Sequence, residues 1–178
     1  ASYHADASKL VYITKITENY PFKRYRGGLT SDLIMYDFDR AQTQRITTDM
    51  ANDGQPQFVG DDIYFLSDRG KQLRLNIWKY DTRRKSFKQF TEFEQFDIGY
   101  LASSDQDLVF ENGGSLYTFD TKRDALKQVA IDVVSDLSLE MPQLKSVEKS
   151  IANVSVAPGN KRLVFEARGE LFDVPVKD

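Results

Sequence analysis

A single histidine, His4, and no cysteine are available for acid–base or nucleophilic chemistry in this chain of 178 residues. A general base needs a positioned partner and an oxyanion site to serve, and nothing around His4 supplies either. His4 therefore reads as a structural residue beside a turn. The missing thiols remove disulfides, thiolate zinc sites, iron–sulfur clusters and cysteine nucleophiles together. Asp61-Asp62 and Asp105-Gln106-Asp107 are the acidic clusters. Calcium asks for about six to eight oxygens from a defined loop, and the EF-hand spacing is absent, so both read as polar turns. Asp68-Arg69 reads as a turn cap with a surface ion pair. Gly113-Gly114 has no Lys-Ser/Thr after it, so it is a hairpin turn and not a phosphate loop. No catalytic residue, metal site or cofactor emerges. The cluster suited to ligand contact is Lys23-Arg24-Tyr25-Arg26, ahead of Gly27-Gly28. Three cations around an aromatic ring can meet a peptide carboxylate, because guanidinium presents a bidentate fork to it. The competing reading is a solvated loop in which the two glycines permit a sharp turn.

Composition narrows the partners. With 29% charged residues and a net charge of −3, the surface does not suit the phosphate backbone of nucleic acid, which wants a basic domain. No apolar run approaches the ~20 residues of a membrane-spanning helix.

These candidate residues sit in an internal repeat. Tyr36-Asp37-Phe38-Asp39-Arg40-Ala41-Gln42-Thr43-Gln44-Arg45-Ile46-Thr47 returns as Tyr80-Asp81 through Phe90-Thr91, and more weakly as Phe119-Asp120 through Val129-Ala130. The aspartates are 44 and then 39 residues apart. Each copy reads as aromatic-Asp, a polar turn and a short strand, with the Asp side chain accepting turn amides. Ahead of the later copies lie hairpins, 62–70 with 75–80 and 108–114 with 115–119. A similar one, 163–169 with 170–174, follows. Runs such as Ile63-Tyr64-Phe65-Leu66 are apolar on both faces, as expected of a strand sandwiched between neighbours. A period of about 40 residues with four short strands is the pattern of a β-propeller. The expected fold class is all-β: propeller blades of four antiparallel strands in incomplete rings.

Both ends look internal to a blade. Ala1–Lys9 aligns with Val154–Arg162, where a first strand ends in a first turn, and the strand holding Leu171 and Phe172 has no fourth strand after it. Glu111 and Glu166 hold equivalent positions yet lie 55 residues apart. The excess falls within 131–150, which reads as a crossing between two rings or as a long loop within one.

At this point a family resemblance enters. Tyr3-His4-Ala5-Asp6-Ala7, Ile63–Arg69 and Gln89-Phe90-Thr91 are similar to TolB-like propeller repeats. More specific strings are Lys23–Gly28 with Asp32-Leu33-Ile34-Met35-Tyr36-Asp37, then Val109–Tyr117, then Phe165–Pro175. In this order they resemble the propeller region of tricorn-type serine proteases, over nearly the whole chain. The resemblance implies a large peptidase with a six-bladed propeller, a seven-bladed one, and further domains bearing the serine nucleophile. It also implies that propellers admit and release peptides. Residues 1–133 would then be closing blades of the first ring, 134–150 the linker, and 151–178 the first strands of the second. The expected function is non-catalytic: scaffolding, and gating of peptide access to the chamber or exit from it. The alternative is a stand-alone TolB-like module that binds a protein partner. Expected partners are peptides and the remaining domains of the parent peptidase in an oligomeric assembly, without nucleic acid or membrane. An exported, periplasmic bacterial setting is expected, with the cytoplasm as alternative. Unpaired blade edges invite association. Light scattering on the purified chain should therefore show oligomers, and a clean monomer would count against the cut-propeller reading.

Overall fold

The computed structural model describes residues 1–15, 23–134 and 141–177. The chain divides into two compact units, 1–131 and 132–178. The first holds three four-stranded antiparallel sheets, each a run of consecutive strands. Blade 1 is β1 (Ser2–Tyr3), β2 (Lys9–Ile13), β3 (Leu33–Asp37) and β4 (Gln42–Arg45). Blade 2 is β5 (Asp53–Val59), β6 (Asp62–Ser67), β7 (Asn76–Asp81) and β8 (Ser86–Gln89). Blade 3 is β9 (Ile98–Ser103), β10 (Asp107–Asn112), β11 (Ser115–Asp120) and β12 (Ala125–Gln128). In the second unit a 3-10 turn, Glu148–Ser150, precedes the three-stranded sheet β13 (Ile151–Val156), β14 (Arg162–Ala167) and β15 (Glu170–Pro175). The expected all-β class is what forms, and no α-helix occurs among the described residues. Part of the expected crossing, 135–140, lies outside the described residues.

The repeat works through two side chains. In each copy the aspartate carboxylate accepts turn amides: Arg40 N–H donates to Asp37 at 3.0 Å, Arg84 N–H to Asp81 at 2.8 Å, and Arg123 N–H to Asp120 at 2.9 Å. Each turn then closes with a left-handed residue, Ala41, Lys85 or Asp124, at φ of 50°, 53° and 54°. That conformation returns the chain into the outer strand. The second side chain is the terminal threonine. Thr47 Oγ1 accepts Leu33 N–H at 2.9 Å, and Thr91 Oγ1 accepts Ile77 N–H at 2.8 Å, adding a rung where the strand pairing ends. The third copy has Ala130 at this place and no hydroxyl to offer.

The alignment of the two ends is visible in hydrogen bonds. His4 N–H donates to Lys9 O and Ala7 N–H to His4 O, while Ala157 N–H donates to Arg162 O and Asn160 N–H to Ala157 O. Gly113 and Gly114 form the expected hairpin turn with φ of 60° and 82°. A Cβ at Gly113 would stand 2.7 Å from the Phe96 ring, so glycine is needed there twice over.

Blade 2 is sandwiched as its apolar run foretold. Ile63 and Phe65 pack with Val11, Leu33, Ile46 and Tyr80 towards blade 1. Tyr64 and Leu66 pack with Ile98, Leu101, Leu108 and Phe110 towards blade 3. The period-two alternation of β6 thus divides its side chains between two cores.

One expectation is corrected. Asp68 and Arg69 form no surface pair. Arg69 is only 11% exposed, and its guanidinium lies 4.7 Å from the Phe87 ring centroid, 5.2 Å from Phe65 and 5.5 Å from Trp78. It donates to both oxygens of the fully buried Asp53, at 2.9 and 2.8 Å, and also pairs with Asp49 at 3.3 Å. Asp68 is buried with Arg26 as its partner. A two-residue reading sees adjacent charges, whereas the fold turns each towards a different distant partner. Replacing Arg69 with leucine leaves the Asp53 charge buried without a counterion. We expect a loss of about 3–5 kcal/mol in urea unfolding, and a loss under 1 kcal/mol would contradict this account.

Candidate functional site

Within the first unit the inner strand β5 packs beside β1 and β2 of blade 1 and beside the inner strand β9 of blade 3. Strands β5 and β9 carry the same irregularity. Pairing with the second strand slips between Gly54 and Gln57 in β5, and opposite Val109–Glu111 in β9. At the slip Gln55 and Tyr100 adopt left-handed φ of 45° and 55°. Strand β13 of the second unit repeats it at Asn153, with φ of 52°. These are β-bulges, which release a residue from the ladder and re-aim its side chain. Tyr100 is consequently 81% exposed. Gln55 turns sideways, so that its Oε1 accepts Leu101 N–H at 2.7 Å, while Gln57 Nε2 donates to Leu101 O at 3.2 Å. Two glutamines of blade 2 therefore clamp the backbone of one residue of blade 3, Leu101.

Between these bulges lies a cavity of about 410 Å³. Leu66, Leu75 and Ile98 line it, with Gly54 and Gly99 on the inner strands, and Tyr100 and Glu111 on blade 3. The segment 23–28 borders it like a strap. Arg24 Nε donates to Leu73 O at 2.7 Å, and its Nη2 lies 3.3 Å from Asp97 Oδ1. Lys23 Nζ is 3.2 Å from Asp97 Oδ2, and Arg26 Nη1 is 2.7 Å from Asp68 Oδ2. Asp97 also accepts Leu75 N–H at 3.0 Å, which makes it the anchor of the strap. Beyond it, the strap turns where Thr30 N–H and hydroxyl both donate to Gly27 O.

The structure thus brings Lys23, Arg24 and Tyr25 to the cavity and joins Arg26 to its Asp68 wall. The cations carry carboxylate partners, and Lys23 remains 74% exposed. His4 stands elsewhere, in a groove between blades 1 and 2 with Lys9, Arg40 and Lys85. Its Nδ1 is 2.6 Å from Asp6, its Nε2 is 3.3 Å from Asp61, and its ring meets Phe58 edge-on. Asp61 sits in the turn after β5, as its sequence suggests, and Asp62 opens β6 and pairs with Lys79. Among the described residues no three His, Cys, Asp or Glu side chains are arranged to hold a metal ion. No helix among them is long and apolar enough to cross a membrane.

Reading the sequence missed Gln55, Gln57, Asp97, Tyr100 and Glu111. A usable signal existed for two of them. Gly54-Gln55 and Gly99-Tyr100 are 45 residues apart, close to the repeat spacing, so carrying the repeat back into the first strand aligns both bulges.

Comparison with known proteins decides the family. Residues 1–125 match the model of the tricorn protease N-terminal beta propeller domain. The chain belongs to this family. A tricorn protease homolog of Saccharolobus solfataricus is 26% identical over 92% of this chain, and the tricorn protease of Thermoplasma volcanium is 27% identical over 97%. The tricorn-family chain spans only 15% and 16% of the length of those two relatives. A crystal structure of the tricorn protease superposes with a TM-score of 0.67 at 23% identity, covering 94% of this chain and 16% of that one. TolB from Acinetobacter baumannii gives 0.52 at 16% identity, with coverages of 97% and 40%. These superpositions show the shared propeller fold.

Behind the cavity, burial pushes the Asp53 carboxyl up to about 6, against the pull of Arg69, Ser67 and Thr47 towards the charged form. A raised carboxyl binds its proton more tightly folded than unfolded. The stability this contributes is complete below the unfolded value of 3.8 and is lost as pH rises towards 6. The unfolding free energy of the unmodified chain, measured against Asp53→Asn, should therefore fall between about pH 4 and pH 6 and level off above. A pH-independent difference would refute it.

Proposed function

We propose that this chain is a non-catalytic propeller portion of a tricorn-like serine peptidase, which scaffolds the remaining domains and gates the passage of peptides. Membership of the family supports the scaffolding half, as does a span of about one-sixth of its relatives. The same facts favour it over a stand-alone partner-binding module. In this reading residues 1–133 are closing blades of a first, six-bladed ring, 134–150 the linker, and 151–178 the opening of a second ring.

One observation carries the gating half. The inner strands release Tyr100 into solvent beside a cavity bordered by the strap of Lys23, Arg24, Tyr25 and Arg26. Inner strands are where the blades of a propeller face its central channel. Arg24 and Arg26 spend their guanidinium groups on Asp97 and Asp68, so they hold the strap in place. The Lys23 ammonium keeps donors for a peptide carbonyl or carboxylate.

The test uses the full-length peptidase that contains this chain. Enlarging the gate residue by Tyr100→Trp should lower kcat/KM for a twelve-residue peptide by about threefold and leave a chromogenic dipeptide unchanged. Equal effects on both substrates, or none, would sink the gating reading.

A further inference from the structure

Charge accounting around the cavity leaves one carboxylate without a cation. Asp53 is matched by Arg69, Asp68 by Arg26, and Asp97 by both Lys23 and Arg24. Glu111 has no ion pair among the described residues. Its Oε1 accepts Gly114 N–H at 2.6 Å, which fixes the carboxylate in the hairpin. Its Oε2 faces Gly99, 3.5 Å from where a Cβ would stand, and accepts nothing among the described residues. A fixed acceptor with no direct cation partner among the described residues therefore looks onto the cavity wall.

Part of the wall beside Glu111 is apolar: Leu66, Leu75 and Ile98 contribute to it, with the strap and its carboxylate partners forming the charged remainder. Gly54 leaves room on its side, since a Cβ there would meet nothing within 4 Å. A volume of about 410 Å³ lies in the range of small-ligand sites. The complement of this arrangement is an ammonium one carbon away from a large apolar side chain, with peptide carbonyls running towards Lys23. An amino-terminal apolar residue has that chemistry.

We infer that the cavity is a subsite for the free amino terminus of a peptide, with its α-ammonium on Glu111 Oε2 and its first side chain on Leu66, Leu75 and Ile98. This rests on reading the cavity as a peptide contact and names the class of peptide it selects. Residues 54 and 111 set the selectivity: one sets the room, the other the charge.

Calorimetric titration of the full-length protein that contains this chain with Leu-Ala-Ala, N-acetyl-Leu-Ala-Ala and Gly-Ala-Ala tests it. Leu-Ala-Ala should bind, and both acetylation and loss of the side chain should weaken it by about tenfold or more. Glu111→Gln keeps the amide oxygen for Gly114 and should weaken Leu-Ala-Ala to the level of its acetylated form, with no further loss when both changes are combined. Gly54→Leu fills the space and should abolish binding of Leu-Ala-Ala. Should Gly54→Leu fail to fold by circular dichroism, the Glu111→Gln and acetylation arms decide alone. Equal binding of the acetylated peptide, an unaffected Glu111→Gln, or no binding of Leu-Ala-Ala would each overturn the subsite. Such a failure leaves the turnover test of gating standing. Conversely, binding here with no effect of Tyr100→Trp on turnover would remove the gating and keep the subsite.

Discussion

The contact between Arg69 and Asp53 organises the first unit. A carboxylate with no solvent exposure is tolerable only beside a cation that satisfies both its oxygens. Arg69 does so from the loop after β6, and Asp53 opens the inner strand β5. The guanidinium is held in turn by three rings, from β6, β7 and β8. One side chain thus ties the first strand of blade 2 to the other three, immediately behind the cavity. Arginine suits this place because its flat, weakly hydrated head stacks on aromatic faces and keeps its donors in plane.

From that anchored strand the rest of the assembly follows. Strand β6 sends alternate side chains into two cores, so blade 2 fixes the positions of both neighbours. The glutamine clamp on Leu101 then sets how far β9 can slide along β5. Cavity and strap are what remains once these restraints are met. Their charged side chains are paired before any ligand arrives, except that Glu111 has no ion pair among the described residues; Lys23 is paired yet exposed, and Tyr100 is exposed.

Local features of the fold were legible in the residues. The aspartates at 37, 81 and 120 announce their turns because an Asx side chain bonds amides two or three positions on. Ile63–Leu66 announces its sandwiched state because both parities are apolar. Thr47 and Thr91 were visible as repeats, though their role in lengthening a ladder was not. The site was far less legible. Arg69 finds Asp53 16 residues away, Lys23 finds Asp97 74 away, and Gln57 finds Leu101 44 away. The first is set by pairing within blade 2 and the third by how blades 2 and 3 stack, which the residue types alone do not encode. The pair Asp68-Arg69 shows the cost: adjacency suggested one interaction, and the fold made two others.

The bulges at Gln55, Tyr100 and Asn153 carry a consequence for how such a chain can change over time. Backbone geometry at these positions is supplied by the strand slip, and two carboxamides and a phenol occupy it. None of the three is buried in a core cluster. Gln55 and Asn153 are tied to Leu101 N–H and to the Glu166 carboxylate, whereas Tyr100 points into solvent and is a socket into which a different residue can be substituted with little penalty to the sheet behind it. Drift at a bulge position such as Tyr100 can thus retune what the inner face presents while the framework stays untouched, a separation between the part that varies and the part that holds.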